Sequence, residues 1–267
     1  MYTPQQHTFA VCAYKESPFL EACVRSLEAQ RVSSGIIICT STPNDHIADV
    51  ARRHGLPVRV NRGPAGISGD WTFAYAQAPT PLVTLAHQDD VYEPGYLEAM
   101  LGAAGRARRP LICFSDYFEL RDGQKVFADR NRNLRIKRAM LAPLRLAALQ
   151  RSRWARRRVI SMGNPICCPA VTYVKPNLPE DLFVSQFKSN LDWLAWERLS
   201  RLEGSFCYVS QPLMGHRIHG ESTTSKVIGN DYGRTLEDLE MLQRFWPRPV
   251  ARLINRVYAK GQDSNET

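Results

Sequence analysis

One short segment, residues 85–94, brings together the densest set of chemically active side chains in this sequence. An uncharged run at 80–86 predicts a buried strand, and residues 87–90, which read His-Gln-Asp-Asp, follow it directly. Carboxylates at the carboxyl end of a buried strand lie where open α/β sheets bind ligands. Two adjacent carboxylates there suit a hard divalent cation and, through it, a diphosphate. Asp-Asp pairs also cap helices, so Asp90 or Glu93 could instead cap the helix that the pattern predicts next.

Alternating strand and helix patterns must position this segment. The first half predicts strands at residues 8–13, 35–39 and 58–60, and helices at 19–30, 45–54 and 68–77. The second half predicts strands at 111–116, 171–174 and 205–209, and helices at 191–202 and 232–246, with a disordered polar tail from Gly261. Strands that alternate with helices imply a mainly parallel sheet with helices on both faces.

The positive charge of the chain is concentrated in one stretch. The 267 residues carry a net charge of +9, whereas residues 130–158 alone hold eleven Lys or Arg and no Asp or Glu, which leaves −2 for the remainder. Leu, Ile, Met and Trp side chains are interleaved with these charges, which is typical of helices that lie on anionic lipid, and Pro143 should divide the stretch into two short helices. The alternatives are a mobile loop insertion and a nucleic-acid patch. Sparse aromatics and the lack of a reading motif disfavour nucleic acid.

Composition and cysteine content favour a cytoplasmic chain. No uncharged apolar run approaches the roughly 18 residues that a membrane span needs, and residues 1–7 lack the features of a signal peptide. The seven cysteines form no C-x-x-C pair, which fits free buried thiols in a reducing compartment better than disulfides or zinc. We therefore expect a cytoplasmic location, with peripheral attachment to the inner face of the plasma membrane if the basic stretch binds lipid.

Several segments, taken in order, resemble the family 2 glycosyltransferases, which have a GT-A fold. Residues 9–16 are similar to the family's first strand and the loop after it, residues 68–72 stand where relatives contact the donor, and residues 87–90 are similar to the D-x-D-D metal motif. Further along the chain, residues 190–193 are similar to the acidic start of the acceptor-side helix, and residues 216–222 are similar to the late loop over the diphosphate. The resemblance implies a GT-A-type, Rossmann-like α/β fold with a mixed, mostly parallel sheet and helices on both faces.

The resemblance also implies a domain organisation and a reaction. We expect a single glycosyltransferase domain at residues 1–227, with a nucleotide-sugar-binding half at 7–110, an acceptor half at 111–227 that contains the basic insertion, and a C-terminal helix and tail at 228–267. The implied reaction moves a sugar from a nucleotide-sugar donor to a glycan or lipid-linked acceptor by metal-assisted inverting displacement. The implied cofactor is a divalent metal, Mg²⁺ or Mn²⁺.

Carried over residue by residue, the resemblance predicts a set of site residues. The expected catalytic base is Asp192, and the expected metal ligands are Asp89 and His219. The expected donor-binding residues are Ala13, Tyr14, Glu16, Ser41, Gly69, Asp70, His87 and Arg217. Trp71 and Trp193 are candidates for walls of the sugar pocket.

Two departures from the family pattern affect these expectations. The second predicted strand is followed by Thr40, Ser41 and Thr42, where the family usually has Asp-Asp-Gly-Ser, so the charge that binds the base is absent and the nucleotide is left open. His87 stands where the metal motif has its first Asp, and a neutral imidazole could replace a carboxylate that faces the ribose or a metal-bound water. Asp89 retains the direct ligand position.

Structural roles remain open for most of these residues. Asp192 or Asn190 could cap a helix, Asp70 could cap another, and Tyr14 and at least one of the two tryptophans could pack in the core. His219 could be a surface or core histidine, and Arg217 could form a structural salt bridge.

Two other functions are also compatible with the pattern. A nucleotidyltransferase would share the architecture and the metal, but it normally has a Gly-rich, basic loop after the first strand, and residues 14–17 do not form one. A non-catalytic protein that binds a membrane surface or nucleic acid through the basic stretch would leave the constellation of Asp89, Asp192 and Arg217 without a purpose.

Overall fold

A nine-stranded sheet lies at the centre of the residues that the structure, a computed structural model, describes, namely 1–64, 66–219 and 231–263. Its strands are β1 (His7–Ala13), β2 (Gly35–Thr40), β3 (Val58–Val60), β4 (Leu82–His87), β5 (Val91–Tyr92), β6 (Pro110–Arg121), β7 (Gln124–Val126), β8 (Val171–Val174) and β9 (Ser205–Ile218). The spatial order is β3-β2-β1-β4-β8-β6-β9-β5, and β7 pairs with β6. Strands β1 to β4 are mutually parallel, β8 is antiparallel to both of its neighbours, and β6 and β9 are parallel. The prediction of a mixed, mostly parallel sheet is confirmed.

Helices cover both faces of this sheet. They are α1 (Leu20–Glu28), α2 (Asp45–Arg53), α3 (Ile67–Gln77), α4 (Tyr96–Arg106), α5 (Arg132–Leu141), α6 (Ala147–Gln150), α7 (Arg153–Val159), α8 (Leu191–Ser200), α9 (Asp231–Gln243) and α10 (Arg248–Asp263). Alternate residues of β1 separate the two cores: Phe9 and Val11 pack with the buried side chains of α1, α2 and α4, whereas Ala10 packs with those of α3 and α8. This period of two is what a strand buried on both faces requires.

Strands β6 and β9 extend well beyond their apolar segments. The sequence predicts residues 111–116 and 205–209, but the two strands pair as far as Arg121 and Ile218, with a register shift at Ser115. Pairing between the two strands holds these extensions, in which polar residues alternate with buried apolar ones such as Phe118 and Met214, because a ladder satisfies backbone groups whatever the side chains are. The extension carries β9 to His216 and Arg217, beside the end of β4.

The C-terminal region contains two helices where the sequence predicts one. A second helix, α10, begins after Pro247, so the prediction of a disordered tail from Gly261 is wrong for residues 261–263. Residues 264–267 and the predicted domain boundary at 227–228 lie outside the described residues. Among the described helices, none combines the length and the apolar character that a bilayer crossing needs.

The basic stretch is folded against the sheet and is divided into three helices. Pro143 lies in a short 3₁₀ turn after α5, and α6 and α7 follow it. Several cations are used internally: Lys137 Nζ donates to Tyr117 Oη at 2.8 Å, Arg138 pairs with Asp116 at 3.1 Å, and Arg157 pairs with Glu197 at 2.6 Å. The stretch is therefore part of the globular fold, and only some of its charges face solvent.

Gly215 allows β9, β6 and β5 to approach one another where β9 nears the end of β4. A Cβ added at Gly215 would lie 2.6 Å from Phe118 Cε2 and 2.9 Å from Val91 Cγ2, much closer than carbon atoms pack. Any larger residue must displace a buried aromatic ring or one of the paired strands.

We expect Gly215→Ala to destabilise the protein by about 1–3 kcal/mol, because it overpacks this crossing. Urea unfolding followed by circular dichroism would measure the change. Gly105→Ala is the matched control, since Gly105 lies in α4 and its added Cβ would meet only Met1 Cγ at an ordinary 3.6 Å. Equal stability of the two variants would contradict the packing argument.

Candidate active site

Asp89 is held by residues from both ends of the chain. Ser17 Oγ donates a 2.9 Å hydrogen bond to Asp89 Oδ1, and His219 Nε2 lies 3.2 Å from Asp89 Oδ2. Arg217 Nε donates to the Asp89 carbonyl at 2.8 Å, and its guanidinium stacks 4.3 Å from the ring centroid of Phe19. The Asp89 side chain remains about one-quarter exposed. One oxygen is thus fixed by a hydroxyl, and the other faces an imidazole at the protein surface.

Asp90 points in the opposite direction, into the protein. It is 1% exposed, and its Oδ1 accepts hydrogen bonds from His216 Nδ1 at 3.1 Å and from the Arg217 amide at 2.9 Å. Burial opposes its ionisation, but the charge and hydrogen bond of His216 outweigh burial, so the pKa of Asp90 lies below its ordinary value. Burial also acts against a charged His216, yet Asp90 keeps the pKa of His216 above its ordinary value. The two groups therefore form an internal ion pair that fixes the end of β9 to the turn after β4.

A second polar cluster lies at the ends of β2 and β3. Asp70 accepts 2.9 Å hydrogen bonds from Ser41 Oγ and from Asn61 Nδ2. Asp70 therefore does not serve as a helix cap, and the two predicted donor residues Ser41 and Asp70 are in direct contact. Gly69 is the third residue of α3 and does not open the helix; a Cβ there would lie 2.1 Å from the Pro64 carbonyl oxygen, so it permits the close approach of the preceding loop.

The loop after β1 is fixed by Gln88, which belongs to the segment that resembles the D-x-D-D metal motif. Gln88 accepts from the Tyr14 amide and donates to the Tyr14 carbonyl, both at 2.9 Å. Lys15, in a left-handed conformation with φ of 56°, donates its amide to Thr42 Oγ1 at 2.6 Å. These contacts leave the Tyr14 ring half exposed rather than in the core, and Glu16 is exposed beside it, while Ala13 is buried at the strand end.

His87 is the last residue of β4 and directly precedes Gln88 and Asp89. Its ring stacks on Trp71 at 5.2 Å between centroids, and burial lowers the pKa of His87 despite the nearby carboxylates. A neutral imidazole follows from this environment. Trp71 is partly exposed, whereas Trp193 is fully buried and donates its Nε1 to the Ile160 carbonyl, so Trp193 belongs to the core.

Asp192 lies in the first turn of α8 and is not its N-cap. Asn190 occupies the cap position, and Asn164 Nδ2 donates to Asp192 Oδ2 at 2.7 Å. Burial raises the pKa of the Cys167 thiol, and the charges of Asp90 and Asp192 raise it further. Both carboxylates are therefore within electrostatic range of the same thiol.

Four residues without a predicted role hold the predicted ones in position: Ser17, Asn61, Gln88 and Asn164. Each is a polar residue in or beside a loop, and Gln88 stands inside the motif itself. Among the described residues, no group of three or more His, Cys, Asp or Glu forms a ready metal cage. The late loop is described only as far as His219, and residues 220–222 lie outside the described residues.

A comparison of the sequence with family models gives one match. The model of glycosyl transferase family 2 matches residues 8–161, more than half of the chain. A search of curated proteins found no match.

Solved structures of similar fold include three sugar-transferring proteins. S. aureus TarS 1–349 in complex with UDP-GlcNAc has a TM-score of 0.58 and 12% identity, covering 94% of this chain and 70% of that one. The mannosyltransferase PcManGT from Pyrobaculum calidifontis, in complex with GDP-Man and Mn²⁺, has a TM-score of 0.57 and 12% identity, covering 97% and 70%. Glucosyl-3-phosphoglycerate synthase from Mycobacterium tuberculosis, with Mn²⁺, UDP and phosphoglyceric acid, has a TM-score of 0.55 and 14% identity, covering 90% and 78%. At these identities the likeness shows the fold.

The Asp90–His216 pair should make stability depend on pH in a defined direction. The pKa of His216 is higher in the folded protein than its ordinary value near 6.5, so its contribution is complete below about pH 6.5 and disappears as the pH rises through the folded pKa. We expect His216→Gln to cost more free energy of unfolding at pH 6 than at pH 9, by on the order of 1 kcal/mol. Urea titrations of both proteins at the two pH values measure this, and a cost that is the same at both would exclude a charged His216.

Proposed function

The chain belongs to glycosyltransferase family 2, and from this premise we propose that it transfers a sugar from a nucleotide-sugar donor to a glycan or lipid-linked acceptor by metal-assisted inverting displacement. The observation that carries the proposal is the arrangement around Asp89. A partly exposed carboxylate, an imidazole and a guanidinium meet directly after β4, at the edge of the sheet where the parallel strands β1, β2 and β4 end.

The residues around Asp89 fit a divalent cation. Asp89 Oδ2 and His219 Nε2 lie side by side, 3.2 Å apart, and provide an oxygen and a nitrogen ligand. Mg²⁺ and Mn²⁺ are commonly bound through one or two protein ligands together with phosphate oxygens, so a site without a full protein cage is suitable. When bound there, the cation would neutralise the charge that develops on the leaving nucleoside diphosphate.

The polar cluster beside Asp89 suits the nucleoside and the sugar of the donor. Tyr14 presents a half-exposed ring in the loop after β1, and Ser41 and Asp70 are hydrogen-bonded to each other after β2; bases and sugars bind to such combinations of aromatic faces and hydroxyl-binding groups. Arg217 is placed to contact the diphosphate, since its Nε is held by the Asp89 carbonyl and its guanidinium stacks on Phe19. Two relatives of the fold bind uridine diphosphate sugars or UDP and one binds GDP-Man, so the choice of base stays open.

Asp192 is the proposed general base. The hydroxyl of the acceptor must lose a proton as it attacks, and a carboxylate beside the donor is suited to accept it. Asn164 is proposed as its positioning residue, because its amide donates a 2.7 Å hydrogen bond to Asp192 Oδ2 and so favours one orientation of the carboxylate. Attack from the face opposite the leaving group would invert the anomeric centre in one step.

The proposed acceptor lies beside the second half of the sheet. Exposed apolar residues on the basic stretch, Ile136 (48%), Leu146 (64%) and Trp154 (68%), stand among exposed arginines, which supports contact with an anionic membrane surface. This composition is compatible with a lipid-linked or membrane-assembled acceptor and a peripheral location.

A nucleotidyltransferase is the alternative enzyme, and the products distinguish the two. Glycosyl transfer or donor hydrolysis releases a nucleoside diphosphate, whereas nucleotidyl transfer releases or consumes pyrophosphate. Incubation of the purified protein with Mn²⁺ and a panel of UDP- and GDP-sugars, with and without added pyrophosphate, followed by chromatography of the nucleotides, would decide between them. Formation of a nucleoside triphosphate in the presence of pyrophosphate, with no nucleoside diphosphate in either reaction, would overturn the proposal.

We expect Asp89→Asn to weaken Mn²⁺ binding by at least about tenfold, because the variant loses a charged ligand that Ser17 holds in place. Electron paramagnetic resonance of free Mn²⁺ measures this without any need for turnover. Asp122→Asn is the matched control, since Asp122 is exposed at the turn between β6 and β7 and Asn also adopts its positive φ of 48°. Equal Mn²⁺ affinity in the two variants would remove Asp89 from the metal site.

We expect Asp192→Asn to lower turnover by roughly 10²–10⁴ and to leave donor affinity nearly unchanged. The amide keeps the shape of the side chain but cannot accept the proton. Steady-state kinetics with the best donor of the panel, together with calorimetric titration of that donor, separates the two effects. A variant with normal turnover would exclude Asp192 as the base, and one with equally weakened donor binding would indicate a structural role.

A further inference from the structure

A cleft with four arginines lies at the edge of the sheet opposite Asp89. It encloses about 580 Å³ and is lined by Arg108, Arg109, Arg151, Arg153 and Glu203, together with Ala148, Ser152 and Gly204. Arg108 and Arg109 immediately precede β6, and Glu203 and Gly204 precede β9. Since both strands run parallel to β4, the arginine cleft lies at the amino ends of the strands, opposite the edge that holds Asp89.

The walls of the arginine cleft are fixed by backbone contacts. The Ser205 amide donates to the Arg109 carbonyl and Ser205 Oγ donates to the Arg108 carbonyl, both at 3.0 Å. Gly204 has φ of 140°, and a Cβ there would lie 2.6 Å from the Arg109 carbonyl oxygen, so only glycine permits this closeness. On the other wall, Ser152 caps α7 through a 3.2 Å hydrogen bond from the Ala155 amide. Neither wall depends on a bound ligand for its shape.

The positive charge in the arginine cleft is largely uncompensated. Glu203 is the only lining carboxylate, and it pairs with Arg109 at 3.6 Å. Among the described residues, Arg108, Arg151 and Arg153 form no ion pair.

A fifth arginine lies directly behind this surface. Arg156 is fully buried and donates Nη2 to the Leu202 carbonyl at 2.7 Å, next to Glu203 in the chain, and its Nε and Nη1 have no hydrogen-bond partner among the described residues. Burial and the charge of Arg153 lower the pKa of Arg156 to about 10. Several positive guanidinium groups therefore lie close together at this surface, and this arrangement favours the binding of an anion.

We propose that the arginine cleft binds a phosphate-bearing group with two or more negative charges. One guanidinium group can bind two phosphate oxygens at once. Four guanidinium groups around one cavity provide more positive charge than a ligand with a single carboxylate requires. Two sources share this chemistry, the headgroup of an anionic lipid and a free phosphate compound. Leu146 and Trp154, which flank the lining residues and are 64% and 68% exposed, favour the lipid headgroup, because apolar side chains beside arginines can enter the bilayer interface.

The test uses the full chain without divalent metal, so that the site at Asp89 does not contribute. Calorimetric titration with pyrophosphate probes the free-phosphate source, and sedimentation with vesicles of phosphatidic acid and phosphatidylcholine probes the lipid source, since the phosphomonoester of phosphatidic acid can carry two negative charges. We expect Arg151→Ala/Arg153→Ala to weaken binding at least about tenfold. Arg135→Ala, an exposed arginine of α5 outside the cleft, is the matched control for the loss of general charge.

Each result has a defined meaning. Pyrophosphate binding that the double variant loses, without vesicle binding, supports a free phosphate compound, and vesicle binding that the double variant loses supports a lipid headgroup. Binding of neither probe, or an equal loss in Arg135→Ala, overturns the proposal. Thermal melting confirms that the variants are folded, and Mn²⁺-dependent donor hydrolysis should be unchanged in them, so failure here is distinguishable from failure of the proposed glycosyl transfer.

Discussion

The buried carboxylate of Asp90 is the interaction on which the rest of the site depends. It joins the turn after β4 to the end of β9, two segments separated by 127 residues, through His216 and the Arg217 amide. Because Asp89, Arg217 and His219 lie on either side of this joint, their closeness follows from it. Removing a buried partner of a charged pair costs far more than a surface ion pair provides, so the joint is strongly specified. The carboxylate of Asp90, which has no proposed role in the reaction, thus sets the position of Asp89, its partly exposed neighbour.

Hydrogen bonds from polar side chains extend the same organisation to the other loops at this edge. Ser17 fixes Asp89, Gln88 fixes the backbone of Tyr14, Asn61 fixes Asp70 and Asn164 fixes Asp192. Two of these contacts join one loop to another, and the other two join a loop to the first turn of α3 or of α8. Groups held in this manner lose little conformational freedom when a ligand binds, so more of the interaction energy is available for the transition state.

The sequence predicts seven of the nine described strands and most helices, because apolar periodicity and turn residues act locally, whereas the short strands β5 and β7 show no such pattern. Strands β1 and β8, for example, occur close to their predicted residues. The positions of Asp89, Asp70 and Ser41 at one sheet edge also follow from the parallel order. The hydrogen-bond partners of these residues cannot be predicted in the same way. Nothing in the sequence around Ser17 indicates that its hydroxyl binds a carboxylate 72 residues away. The extensions of β6 and β9 and the helix after Pro247 were missed for the same reason: strand pairing and packing, not local pattern, hold them.

The two edges of the sheet have opposite electrostatic character, and this has a consequence for binding. At the carboxyl edge, the partly exposed carboxylate of Asp89 lies at the place proposed for a diphosphate, whereas at the amino edge arginines line the cleft. A carboxylate beside a diphosphate would repel it, so a diphosphate bound at the carboxyl edge would need a cation as well as Arg217. A phosphate group at the amino edge would need no added cation, because the guanidinium groups there carry the opposite charge. Dependence on a divalent metal is therefore the physical property that would distinguish the two proposed sites.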